Sequence, residues 1–124
     1  MPFILDEFAY FFETAYDVTD SKFSSCALDR PGGSSGAGLM MIVNHFLDLD
    51  IFGILIPDNI ADAQTNAATG TGSIGAQANL CITTWGRSPN LILVDDFNIG
   101  KCVSWYGDLV LILLQETYSQ LKIH

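Results

Sequence analysis

Positive charge is scarce in this chain. Its 124 residues carry 5 Lys plus Arg against 14 Asp plus Glu, a formal net charge of −9. A basic face gripping DNA, RNA or anionic lipid is excluded on that balance. Cysteine is equally thin. Cys26, Cys81 and Cys102 stand far apart with no C-x-x-C spacing, which excludes the common zinc patterns. From the residues alone they read as three unpaired thiols. Glycine (11) and proline (4) follow no period, so the chain is neither collagenous nor low-complexity. Charged residues make up only 15% and apolar residues 49%, the reverse of a disordered tail. Long hydrophobic runs are missing as well. Leu39 to Ile56 is broken by Asn44, His45, Asp48 and Asp50, and Leu109–Leu114 falls far short of a bilayer crossing. The start, MPFILDEFAYFF, has acidic residues where a secretory signal has Lys or Arg, and it lacks a small-residue cleavage site. Taken literally, it predicts a cytosolic chain.

What remains is enough apolar material for one domain with a core. Phe8–Glu13 is short and aromatic, which predicts a strand. Asp17 to Gly38 is a long loop, punctuated by Pro31, Gly32, Gly33, Gly36 and Gly38. Leu39–Phe46 is continuously apolar before it turns polar, the pattern of a strand buried on both faces of a parallel sheet. Asp48 to Pro57 predicts a further strand or helix, and Asp58 to Gly72 a loop with a short helical turn. Ser73 is placed to cap a helix running towards Trp85, with Pro89 beyond its end. Leu91–Asp95 is the clearest buried strand, closing in carboxylates. Alternating strand-like and helix-like segments predict an α/β fold with parallel strands.

Four groups of residues could carry chemistry. Gly70–Gly75 reads GTGSIG, a formal G-x-G-x-x-G, with Asp95 twenty residues after Gly75. The first glycine of a dinucleotide site directly follows a buried strand, whereas here Pro57–Thr69 intervene. The motif therefore reads as a loop capping a helix, with nucleotide binding as a third-rank alternative. Asn44 and His45 close a strand and point to opposite sides, so only one of them can face a barrel interior. Their plain reading is a hydrogen-bonded structural pair. Asp95, Asp96 and Asn98 follow the last buried strand, where a carboxylate can orient a histidine, bind a metal or cap a turn. Arg87, beside Trp85, has the chemistry of a phosphate ligand, although a lone arginine is more often a surface or salt-bridge residue.

With those residues in place, the chain resembles a known family. LDEFAYFFETAYDVTD, then CALDRP, IVNHFLD and GSIGAQANLCITTWGRSPNLILVDDFNIG resemble the C-terminal part of the fungal PLC-like phosphodiesterases, over about residues 4–100. These are secreted or surface (β/α)8-barrel proteins similar to phosphatidylinositol-specific phospholipase C. A full barrel needs about 250 residues. The implied fold is thus a partial TIM barrel, roughly its C-terminal half, at 1–100, with a divergent tail at 101–124, helical or strand-like.

The resemblance implies a phosphoric diester hydrolase of lipid metabolism, a phosphodiester or phosphoinositide-type substrate, and no cofactor. In such an enzyme one histidine is the general base, a second is the general acid, and an arginine stabilises the phosphoryl charge. Asp95 matches the last-strand carboxylate that holds the base histidine in its tautomer. Asn44 matches an asparagine of an earlier strand, Asn98 completes the Asp-x-x-Asn of the last strand, and Tyr16 falls near the aromatic that packs on the inositol ring. Arg87 joins these as a candidate substrate ligand. The family block resembling H-N-x-x-x-x-L-C-H, which carries the histidines, has no match here. The chain alone is therefore expected to be inactive, a catalytically silent remnant or interaction module being the alternative. An open half-barrel would expose two sheet edges and self-associate. In a secreted parent, Cys26 and Cys81 are a possible disulfide.

Overall fold

The computed structural model describes residues 4–100. The expected tail at 101–124, with Cys102, lies outside the described residues. After a single 3-10 turn at Glu7–Ala9, the chain forms strands β1 (Phe11–Glu13) and β2 (Met40–His45). A hairpin of β3 (Asp48–Ile51) and β4 (Ile54–Pro57) follows, then the short helix α1 (Asp62–Thr65). Helix α2 (Ile74–Trp85) and strand β5 (Leu91–Val94) complete it. The fold is mixed α/β. β1, β2 and β5 form a parallel sheet in the order β1-β2-β5.

The strands expected at Phe8–Glu13, Leu39–Phe46 and Leu91–Asp95 are all present, each slightly shorter. Phe8 is instead drawn into the 3-10 turn, because the Asp6 side chain accepts from its backbone N–H at 3.1 Å. The ambiguous segment 48–57 is an antiparallel hairpin. Its turn places Phe52 and Gly53 at φ 54° and 82°, the positive pair a two-residue type I′ connection demands.

Register settles which side chains share a face. Ile42 pairs Glu13 on one side and Leu91 on the other, and Asn44 pairs Leu93. Alternation therefore puts Phe12, Met41, Val43, Ile92 and Val94 together on the opposite face. That face packs on Ile74, Ala78 and Cys81 of α2 to form the core. Phe12, Met41, Val43, Ile92 and Val94 are all fully buried there. Trp85 closes one end, its ring 4.6 Å from that of Phe12 and its Nε1–H donating to the Cys26 carbonyl at 2.7 Å.

Cys26, in the β1–β2 loop, is disulfide-bonded to Cys81 of α2, with Cα atoms 5.3 Å apart. The bond ties the loop to the helix that covers the core.

Helix α2 begins where the sequence places it. The Ser73 hydroxyl accepts from Ala76 N–H at 3.1 Å, and Gly86 ends the helix at φ 69°, donating to the Ile82 carbonyl. The glycines before it serve packing. Gly72 sits at φ 74°, and a Cβ there would lie 2.1 Å from the Ser21 carbonyl oxygen. The close approach that the G-x-G-x-x-G pattern would offer a phosphate is taken by the protein's own backbone. Gly72→Ala is expected to destabilise the fold by about 2 kcal/mol or more, from left-handed strain plus overlap. A urea-unfolding midpoint equal to that of the parent protein would refute this role.

Candidate functional site

The sheet face turned away from α2 is apolar at its lower end and polar at its carboxyl end. Glu13 ends β1, Asn44 is the penultimate residue of β2, and Asp95 directly follows β5 with the parity of Leu91 and Leu93. Glu13 and Asn44 thus share one side of the sheet at its carboxyl end, and Asp95 follows directly after the neighbouring strand β5. In α/β sheets the carboxyl ends of parallel strands are where ligands bind.

Glu13 and Asn44 are buried, at 5% and 2% exposure. Asn44 Nδ2 donates to Glu13 Oε2 and to the Thr14 carbonyl, both at 2.8 Å. Its backbone N–H donates to Thr14 Oγ1 at 3.0 Å. The other Glu13 oxygen, Oε1, lies 2.5 Å from Arg30 Nη2. The Arg30 guanidinium in turn lies over the ring of Tyr16, 4.4 Å from its centroid. Tyr16 and the Arg30 side chain are both part-exposed beside the buried pair. The Arg30 backbone also bridges Glu13, so the outer edge of β1 is covered at that point rather than open.

His45 takes the other direction. It lies on the core side, 1% exposed, stacked on Phe23 with ring centroids 4.0 Å apart. Its Nε2 meets the Thr65 carbonyl at 2.8 Å, and its Nδ1 lies against the side-chain amide of Gln77. Burial lowers its pKa below the ordinary 6.5, opposed by those two hydrogen bonds. The ring is a buried structural link between β2, α1 and α2. The alternative the sequence leaves open between Asn44 and His45 is thereby resolved, with Asn44 on the face turned away from α2.

The loop after β5 is held from below. Asn66 Nδ2 donates to the carbonyls of Asp95 at 2.7 Å and Asp96 at 3.3 Å. Asp96 turns the chain at φ 42°, and Asn98 is exposed beyond it. Arg87 is not brought to this end. It donates to the Leu39 carbonyl and to Asn90 Oδ1 at 3.1 Å, next to the start of β2. There it borders a shallow cavity of about 430 Å³ with Ser35–Met40 and Trp85. The sheet therefore separates Arg87 from Glu13, Asn44 and Asp95.

Glu13 and Arg30 are the residues that sequence reasoning misses. A signal for Glu13 exists: it closes the apolar run FAYFF as Asp95 closes LILV. Arg30 arrives from a loop, and only the fold brings it to β1.

Among the described residues, no group of three or more His, Cys, Asp or Glu could hold a metal ion. No described helix is long and apolar enough to cross a membrane.

Two fungal relatives match most of the chain. One is PI-PLC X domain-containing protein 1 of Arthroderma benhamiae, 50% identical over 94 residues, covering 76% of this chain and 31% of the relative. The other, from the same fungus, is described as an uncharacterized secreted protein. It is 43% identical over 108 residues, covering 82% of this chain and 24% of its own length. The chain thus spans a third or less of these relatives. No solved structure matches it. The family model for PI-PLC X 1 matches residues 1–109, most of the sequence. The fungal phospholipase-C-like resemblance is thereby established, and the chain belongs to the PI-PLC X domain family.

Proposed function

We propose that this chain supplies the substrate-holding carboxyl ends of three strands in a phosphodiester-cleaving (β/α)8 barrel. The observation that carries this reading is the buried Glu13–Asn44 pair on one face at the carboxyl ends of β1 and β2, with Asp95 directly after the neighbouring strand β5. Tyr16 and Arg30 give that face an aromatic surface and a cation, suited to the polyol and phosphate of a lipid-type headgroup. Asp95 would hold a base histidine in its tautomer, the role the family resemblance implies for a last-strand carboxylate. That histidine is not His45, whose two ring nitrogens are committed in the core. Asn98 would line the same rim, while Arg87 would stabilise the opposite end of the sheet.

General acid and base groups each contribute about 10²–10⁴-fold. With neither in this chain, purified protein is expected to give no phosphatidylinositol cleavage above buffer in a vesicle assay. Measurable turnover, abolished by Asp95→Asn, would overturn the division of labour and place the chemistry on this chain.

The secreted relative and the Cys26–Cys81 bond support an oxidising, extracellular setting for the parent protein. Self-association is supported by a specific feature. Leu49, Ile51 and Ile54 share one face of the β3–β4 hairpin with Ile56, and each of the first three is exposed. Sedimentation should show a concentration-dependent dimer that Ile51→Lys weakens. A monomer at all concentrations would discard this second reading.

A further inference from the structure

At the amino ends of the strands, Ser35–Met40, Trp85 and Arg87 line a shallow cavity of about 430 Å³, the size of a small-molecule site. Its walls are fixed. The Ser34 and Ser35 hydroxyls accept from the N–H groups of Gly36 and Ala37 at 3.1 and 3.3 Å, and Leu39 N–H donates to the Gly36 carbonyl at 3.2 Å. Gly36, at φ 71°, lays this turn on the rings of Phe12 and Trp85, and a Cβ there would lie 3.2 Å from both. Arg87 is set as firmly, by the Leu39 carbonyl and Asn90 Oδ1. Those bonds use two of the five N–H groups of a guanidinium, and neither acceptor carries charge. Among the described residues no carboxylate pairs with Arg87, and none lines the cavity, although the chain has 14 Asp plus Glu.

We propose that this cavity binds a small carboxylate with an aromatic or apolar body, its head held by Arg87 and its body by Trp85, Leu39 and Met40. The half-buried guanidinium selects the charge, because its planar fork matches the two oxygens of a carboxylate. The other donors agree in sign. The Gly38 N–H has no acceptor among the described residues, and the Ser35 hydroxyl, which accepts from Ala37, keeps its own proton to donate. The apolar wall is equally prepared. Trp85 is anchored by its Nε1–H on the Cys26 carbonyl at 2.7 Å, and Met40 is 39% exposed in the same cavity. A bare inorganic anion would leave these side chains in water, whereas an uncharged ring would leave Arg87 without a counter-charge. The site lies at the other end of the strands from Glu13 and Asn44, and does not rest on the headgroup reading above.

An NMR titration of the full chain with benzoate is the test. Benzyl alcohol, which lacks the charge, and acetate, which lacks the ring, are the controls. Benzoate is expected to shift the Trp85 Nε1–H, the Arg87 Nε–H and the Gly38 and Met40 amides, and to bind about tenfold or more tighter than either control. Arg87→Gln removes the guanidinium. Met40→Glu leaves Arg87 in place and adds a carboxylate to the exposed wall of the cavity. Each should weaken benzoate binding about tenfold or more. Should Arg87→Gln fail to fold, Met40→Glu decides alone. No shift of these groups at millimolar benzoate would overturn the site, as would shifts centred on Arg30 instead. A control that binds as tightly as benzoate, or unchanged affinity in Met40→Glu, would overturn it as well.

Discussion

Reducing the Cys26–Cys81 bond, or replacing both cysteines by alanine, is expected to cost about 4 kcal/mol of folding stability. The bond closes a sequence separation of 55 residues, and the chain-entropy cost of such a loop grows only slowly with length. The loop it closes includes β2, the hairpin, α1 and most of α2. Both sulfur atoms also belong to the core. Cys26 is 3% exposed and Cys81 fully buried, alongside Phe12 and Met41. Small domains have only about 5–15 kcal/mol in total, so the reduced chain should be near its limit. Urea unfolding of the oxidised and reduced protein measures the difference. Coincident midpoints would show that packing alone holds the loop to the helix.

A second large effect is expected at Arg30. Removing its guanidinium leaves Glu13 a buried carboxylate with Asn44 as its one side-chain partner among the described residues. Breaking a buried ion pair from one side costs about 3–5 kcal/mol. The Arg30 side chain is 43% exposed, which places Arg30→Ala at about 3 kcal/mol, the low end of that range. Adding Glu13→Gln should recover part of the loss, because the neutral amide needs no counter-charge. A double-mutant cycle with no coupling would show that Arg30 serves only through its backbone bridge to β1.

Acid and base should act on the fold in opposite senses at two residues. Asp62 rises from 3.8 to about 7 on folding, so the folded chain holds a proton that the unfolded chain lacks across that window. Its stabilising contribution is complete below 3.8 and is lost as pH rises to 7. His45 is lowered below 6.5, so acidification through that value weakens the fold. Asp62→Asn should therefore raise the melting temperature above pH 7 and leave it unchanged near pH 4. A gain that is equal at both pH values would contradict the assignment.

How much of this was legible in the sequence varies with the kind of residue. Strands β2 and β5 read clearly because every position is apolar until the carboxyl end. Helix α2 read clearly because Ser73 and Pro89 are local punctuation, while Gly86 as its end came from the fold. The hairpin 48–57 did not resolve, since its apolar face has no core to match and short apolar runs fit either period. The polar site was half legible. Asn44 and Asp95 close long buried strands, whereas Arg30 lies seventeen residues beyond Glu13 and meets it only through the bridge at the sheet edge. Arg87 shows the reverse limit. Its chemistry suits phosphate, but its place in the chain puts it at the amino ends of the strands.

The central claim is that the carboxyl-end face of the β1-β2-β5 sheet holds a polyol phosphate. Titrating labelled protein with soluble glycerophosphoinositol, followed by NMR, tests it most directly. The expected result is a set of shifts centred on Tyr16, Arg30 and Asn44 and reaching Asp95, removed by Arg30→Ala in protein that remains folded. Shifts confined to Ser35–Met40 and Arg87, or none at all at millimolar ligand, would contradict it.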